Sequence, residues 1–140
     1  MANILTDWRA AVAAHLATTF PTYTVYSGYR DGRSSDMDVI AVFSPGIREM
    51  ADRVHAAEHR LFVRIWPRLI PPVPGEEPRD PEQLEQLAVD LEAALRVVQK
   101  TLATSSGIWF TRLTNVEMDY DDWGCQATLV AWSKNPAVIA

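Results

Sequence analysis

Apolar residues along this chain follow two rhythms. One recurs every three or four positions: Trp8, Val12, Leu16 and Phe20, then Leu84, Leu87, Leu91, Leu95, Val98 and Leu102. That period gathers each set on one side of a helix. Thr6 is placed to cap the first helix, and Pro21 ends it. The second helix is more strongly marked. Asp80-Pro81-Glu82-Gln83 puts Asp at the N-cap, proline at the first helical position and Gln at N3, so a helix is predicted from Pro81 to about Ala103. Ser105-Ser106-Gly107 breaks it.

The other rhythm has a period of two, which in a strand sends alternate side chains to opposite faces. It predicts short strands at Tyr23 to Ser27 and Asp38 to Phe43, the latter with Val39, Ala41 and Phe43 on one face. It is plainest in Arg60 to Trp66, where Leu61, Val63 and Ile65 face one way and Phe62, Arg64 and Trp66 the other. Ile108 to Tyr120 and Cys125 to Ser133 read as a hairpin around Asp121-Asp122-Trp123-Gly124. Between these elements lie a polar, glycine-containing loop over Gly28 to Ser35 and a turn at Ser44-Pro45-Gly46. From Ile47 to Ala57 the spacing of Ile47, Met50 and Val54 favours a short helix. Pro67 to Pro78 holds five of the nine prolines, a composition that keeps an extended shape without a hydrogen-bonded ladder. The order predicts one α+β domain over residues 1–140: an antiparallel or mixed sheet of about four or five strands, with the long helix and the N-terminal helix packed on one face.

Composition narrows the function. The 140 residues are 48% hydrophobic and 22% charged, with a formal net charge of −5. An acidic balance argues against nucleic acid as the main ligand, because phosphate binding needs surplus Lys and Arg. The single cysteine, Cys125, excludes an internal disulfide and a multi-cysteine zinc site. No apolar run is long enough to span a membrane. The N-terminus lacks the basic and apolar regions of a signal peptide, so synthesis and folding in the cytoplasm are expected.

Candidate chemistry is sparse. His55-Ala56-Ala57-Glu58-His59 matches the H-x-x-E-H pattern of inverted zinc proteases. On a helix its histidines at i, i+4 would share a metal beside Glu58 as base. The segment runs straight into a strand, however, and no third ligand is signposted. Asp119 to Gly124 resembles the start of a calcium loop, but Trp123 stands where an oxygen ligand is needed and Val130 where the loop needs Glu. Cys125 alternates with Ala127, Leu129 and Ala131 and reads as a small buried hydrophobe. No serine sits in a nucleophile elbow and no glycine run forms a phosphate cradle. No catalytic residue, cofactor or metal is expected, and the protein reads as a non-enzyme.

The unusual feature is instead the aromatic–Arg–aromatic face of Arg60 to Trp66. A small domain rarely covers both faces of its sheet, and aromatics and Arg are enriched where proteins meet. The expected interface residues are Phe62, Arg64 and Trp66, Arg68 in the proline loop, and Tyr29, Arg30, Asp31 and Arg33 in the glycine loop.

Taken together, the Trp8 helix, the loop Tyr26-Ser27-Gly28-Tyr29-Arg30-Asp31-Gly32, the strand Asp38 to Phe43, Leu61 to Pro67, the Asp80-Pro81 helix and the Trp-rich hairpin resemble the tail terminator proteins of long-tailed bacteriophages. The resemblance implies an α/β body that forms a homohexameric ring. Such a ring stops polymerisation of the tail tube at its head-proximal end and offers a joining surface to the head's connector or stopper protein. It implies a virion protein of the tail, assembled in the host cytoplasm, whose partners are itself, the tail tube protein and the connector. DNA would pass through the channel without specific binding. Six copies would carry a formal charge of about −30, six times the chain's −5, which disfavours retention of DNA. Other small neck proteins, the head-completion stopper and the tail-completion protein, share the size and acidity. A zinc hydrolase using His55, Glu58 and His59 and a monomeric binding module stay open as other classes.

Overall fold

Asp80 starts the long helix as its residue types predict. Its Oδ1 accepts the Glu82 amide at 3.0 Å, and its carbonyl accepts Gln83 N at 3.0 Å, which satisfies amides that the first turn leaves without partners. In the structure, a computed structural model, residues 4–30, 34, 36–44, 56–69, 80–101 and 110–134 are described. In chain order the elements are α1 (Ile4–Thr19), β1 (Thr24–Ser27), β2 (Val39–Phe43), β3 (Ala56–Trp66), α2 (Pro81–Thr101), β4 (Phe110–Asp119) and β5 (Gly124–Lys134). The fold is α+β with a mixed sheet, as the two rhythms predict.

The five strands lie in the order β1-β2-β3-β5-β4. Every neighbouring pair is antiparallel except β1 with β2, which run parallel from Thr24↔Val39 to Ser27↔Val42. Parallel neighbours need a connection that carries the chain back along the strand. Residues 28–38 suffice because β1 is only four residues long.

Both helices pack on one face. Trp8, Val12 and Leu16 of α1 and Leu84, Leu91, Leu95 and Val98 of α2 are fully or almost fully buried against Ile40, Val42, Leu61, Val63, Ile65, Ala127 and Leu129. Cys125 joins this core as expected, with its thiol directed at the Leu84 carbonyl, 3.8 Å away. A second, smaller cluster of Val39, Ala41, Phe43 and Trp66 lies on the opposite face.

Two expectations are corrected. Thr6 does not cap α1: it lies inside the helix, which spans Ile4–Thr19, and Leu5 beside it packs against the core. The short helix expected over Ile47 to Ala57 is not what Ala56 and Ala57 form: they open β3, paired with Lys134 and Ser133. Ladder pairing to β5 overrides the local helical spacing there, while residues 47–55 lie outside the described residues.

Because Leu91 is wholly buried between α2 and the sheet, Leu91→Ala should destabilise the fold by about 2–5 kcal/mol, read as a lowered denaturant midpoint at unchanged slope.

Candidate functional site

The sheet face turned away from α1 and α2 is built from β1, β2, β3 and β5. Antiparallel register brings Phe43 opposite Phe62, Ala41 opposite Arg64 and Val39 opposite Trp66, and on the other side Gln126 opposite Arg64. Among the described residues no helix covers this face.

Its centre is Arg64, which is exposed. The guanidinium lies over the rings of Phe43 and Trp66, 5.8 and 6.0 Å from their centroids, a cation–π arrangement. Its Nε donates to Gln126 Oε1. Among the described residues it has no carboxylate partner. Around it the aromatics meet edge to face: Phe43 with Phe62 at 5.8 Å and Tyr29 with Phe43 at 5.6 Å, the geometry that ring quadrupoles favour. Tyr29 is 74% exposed. Arg30 stacks over Tyr26, 4.4 Å from the ring centre.

The β4–β5 turn clamps the far end of the face. Trp66 Nε1 donates to Asp122 Oδ2 at 2.8 Å. The next residue, Trp123, goes the other way and buries its side chain in the main core. To do so it adopts φ 53°, a region that bulky residues rarely enter. Asp119 Oδ1 accepts the amides of both Asp121 and Asp122 at 3.0 Å. Beside this turn is a groove of about 490 Å³ lined by Arg64, Trp66, Asp119, Asp122 and Gln126 among others. The turn is therefore a braced hairpin tip. One oxygen of Asp119 holds the turn's own backbone, and among the described residues no three His, Cys, Asp or Glu side chains come together to hold a metal ion.

Of the expected interface residues, Tyr29, Phe62, Arg64 and Trp66 share this face, joined through Phe43, and Arg30 lies next to Tyr29 over Tyr26. Arg68 is engaged elsewhere. Its amide donates to Asp38 Oδ1 at 2.7 Å and its Nη2 to Oδ2 at 3.5 Å, clasping the exit of β3 to the entry of β2. Asp31 and Arg33 lie outside the described residues. Tyr26, Asp122 and Gln126 belong to the arrangement without having been singled out. Their roles depend on strand register and on the turn, which no local pattern in the chain reveals.

Of the H-x-x-E-H residues, Glu58 and His59 lie in a strand and not on a helix. Glu58 and His59 are consecutive in β3, so they point to opposite faces. Glu58 pairs with Arg60 at 3.2 Å. His59 is buried, with Nε2 2.8 Å from Ser133 Oγ. His55 lies outside the described residues.

Burial pushes the Cys125 thiol up to about 11 from its ordinary 9.0, and burial, more than the nearby Asp38, pushes the Tyr23 phenol up as well. Neither is tuned toward reaction at neutral pH, where a nucleophilic thiol needs the opposite shift.

No protein-family model matches this chain, and no curated protein matches it.

The folded thiol holds its proton to higher pH than an unfolded one, so its stabilising contribution is complete below about pH 9 and is lost as the pH rises toward 11. The stability difference between the native protein and Cys125→Ala should therefore shrink over that range. Paired denaturation curves at pH 7 and above pH 10 check it.

Proposed function

We propose that this protein is a structural assembly protein, a tail terminator of a long-tailed bacteriophage that works as a homohexameric ring. The ring closes the head-proximal end of the tail tube, stops its growth and offers a surface to the head connector. The observation that carries the reading is Arg64 on its floor of Phe43 and Trp66, on a sheet face that no described helix covers. A positive group on an aromatic floor, with a neutral amide as its hydrogen-bond partner, suits a contact with another chain. The acidic net charge is suited to a channel that DNA must traverse freely.

Arg64→Glu tests the reading. The variant should stay folded, because the side chain is exposed, but should lose the hexamer or its hold on tail-tube ends in sedimentation and negative-stain micrographs. Unchanged assembly and unchanged capping of tubes would remove this face from the interface. Binding to tube ends, as opposed to the connector alone, separates a terminator from the other small neck proteins.

A further inference from the structure

We infer that β4 pairs antiparallel with β4 of a second copy, with Arg112 of each chain opposite Glu117 of the other. The inference goes beyond the ring reading, because a contact between identical patches closes at two copies and cannot by itself build a ring. β4 is ten residues long and stands last in the strand order. No described strand lies beyond its outer edge. Such an edge is a template for another chain unless the fold blunts it.

A bulge is a common blunting device, and β4 has one. Leu113 pairs with Leu129 but Asn115 with Thr128, which leaves Thr114 extra, its Oγ1 donating to the Thr128 carbonyl at 3.2 Å. In a self-pair this bulge aligns the strands instead of blocking them. Residues 112 and 117 are an odd number apart, so in a regular strand they would point to opposite faces. The extra residue brings them to one face: Arg112 stands opposite Val130 and Glu117 opposite Gln126, alternate positions of β5 on the face that carries Arg64. Leu113 and Val116 share the other face, where both pack against the core. Antiparallel pairing about an axis between Thr114 and Asn115 therefore sets Arg112 against Glu117 and Leu113 against Val116, each pair made twice and each on a single face. Opposite charges and apolar side chains placed this way are the stabilising unit of a sheet. The two charges are also unanswered at home. Both side chains are exposed, and neither has an oppositely charged partner among the described residues. Asn115 Nδ2 donates to Glu117 Oε1 at 2.8 Å, a neutral contact that orients the carboxylate and leaves its charge for a second chain.

The experiment uses the full chain. The native protein should sediment as a dimer, or as paired rings where rings form. Arg112→Glu and Glu117→Arg should each weaken the contact by about tenfold or more and halve the assembled mass, with the far-UV circular dichroism unchanged because both side chains are exposed. An equimolar mixture of the two variants should regain the native mass, since each supplies the charge that the other lacks. The double reversal in one chain should regain it too. A native protein that stays monomeric at all concentrations overturns the β4 contact. A single six-membered ring indifferent to both reversals overturns it as well, while leaving the ring reading standing. A loss of mass that neither the mixture nor the double reversal repairs also overturns it, because the two charges then do not face each other.

Discussion

The register between β3 and β5 is the constraint on which the rest of the molecule depends. It runs from Ala56↔Lys134 to Ile65↔Cys125 and sets Leu61, Val63 and Ile65 beside Leu129, Ala127 and Cys125, all buried under the helices. A slip of one residue would send Phe62 and Arg64 into the core and put the aliphatics outside. Burying Arg64 among Leu and Val without a counter-charge would cost far more than any single packing defect. The same register therefore builds the core and displays the open face. Gly124, at the start of β5, lets the hairpin close against the end of β3. A Cβ there would stand 2.8 Å from the Ile65 carbonyl oxygen and 2.8 Å from Trp66 Cδ1, closer than either contact tolerates.

The β4–β5 turn extends that constraint to both sides of the sheet. Asp122 reaches the open face and holds the Trp66 indole, while Trp123 reaches the core. The positive φ of Trp123 costs on the order of 1–3 kcal/mol. Burial of so large a side chain, which is only 5% exposed, offsets that cost. Two consecutive residues thus tie the turn to opposite faces, and the end of the open face is stiff before any partner arrives. Such stiffness suits a docking surface, because side chains already held in place lose little freedom on binding.

The elements were legible in the sequence wherever local chemistry and tertiary packing agree. Asp80-Pro81 and the leucine spacing mark α2 to within a few residues of its observed end at Thr101. The alternation of Arg60 to Trp66 assigns each side chain to its observed face. Legibility ended where partners distant in the chain decide the outcome. Nothing near Ala56 announces its pairing with Lys134, and nothing in Tyr23 to Ser27 tells that β1 runs parallel to β2. Gln126 looks like any polar strand residue until register sets it beside Arg64. The candidate site followed the same division. Phe62, Arg64 and Trp66 were readable from one strand, whereas Phe43, Tyr26 and Asp122 required the assembled sheet.

The arginines themselves separate two kinds of role. Arg60 is paired with Glu58, Arg68 with Asp38 and Arg96 with Glu92, each at 2.7 to 3.5 Å. Those charges are answered within the chain, and Arg68 in particular fastens one strand's exit to another's entry. Arg64 instead meets two aromatic rings and a neutral amide. The rings and Gln126 orient the guanidinium but leave its charge unneutralised. Water compensates that charge while the face is open. Were the face covered, desolvation would make an unanswered charge costly, and Arg64 would need a carboxylate from the covering surface or from Glu117, Asp119, Asp121 or Asp122, which line the same groove. As a docking surface, such a face would discriminate among partners: an apolar surface of the right shape that left Arg64 without an acidic group would strand the charge. A covering surface with a placed Asp or Glu would gain a charge-assisted hydrogen bond on a prepared aromatic floor.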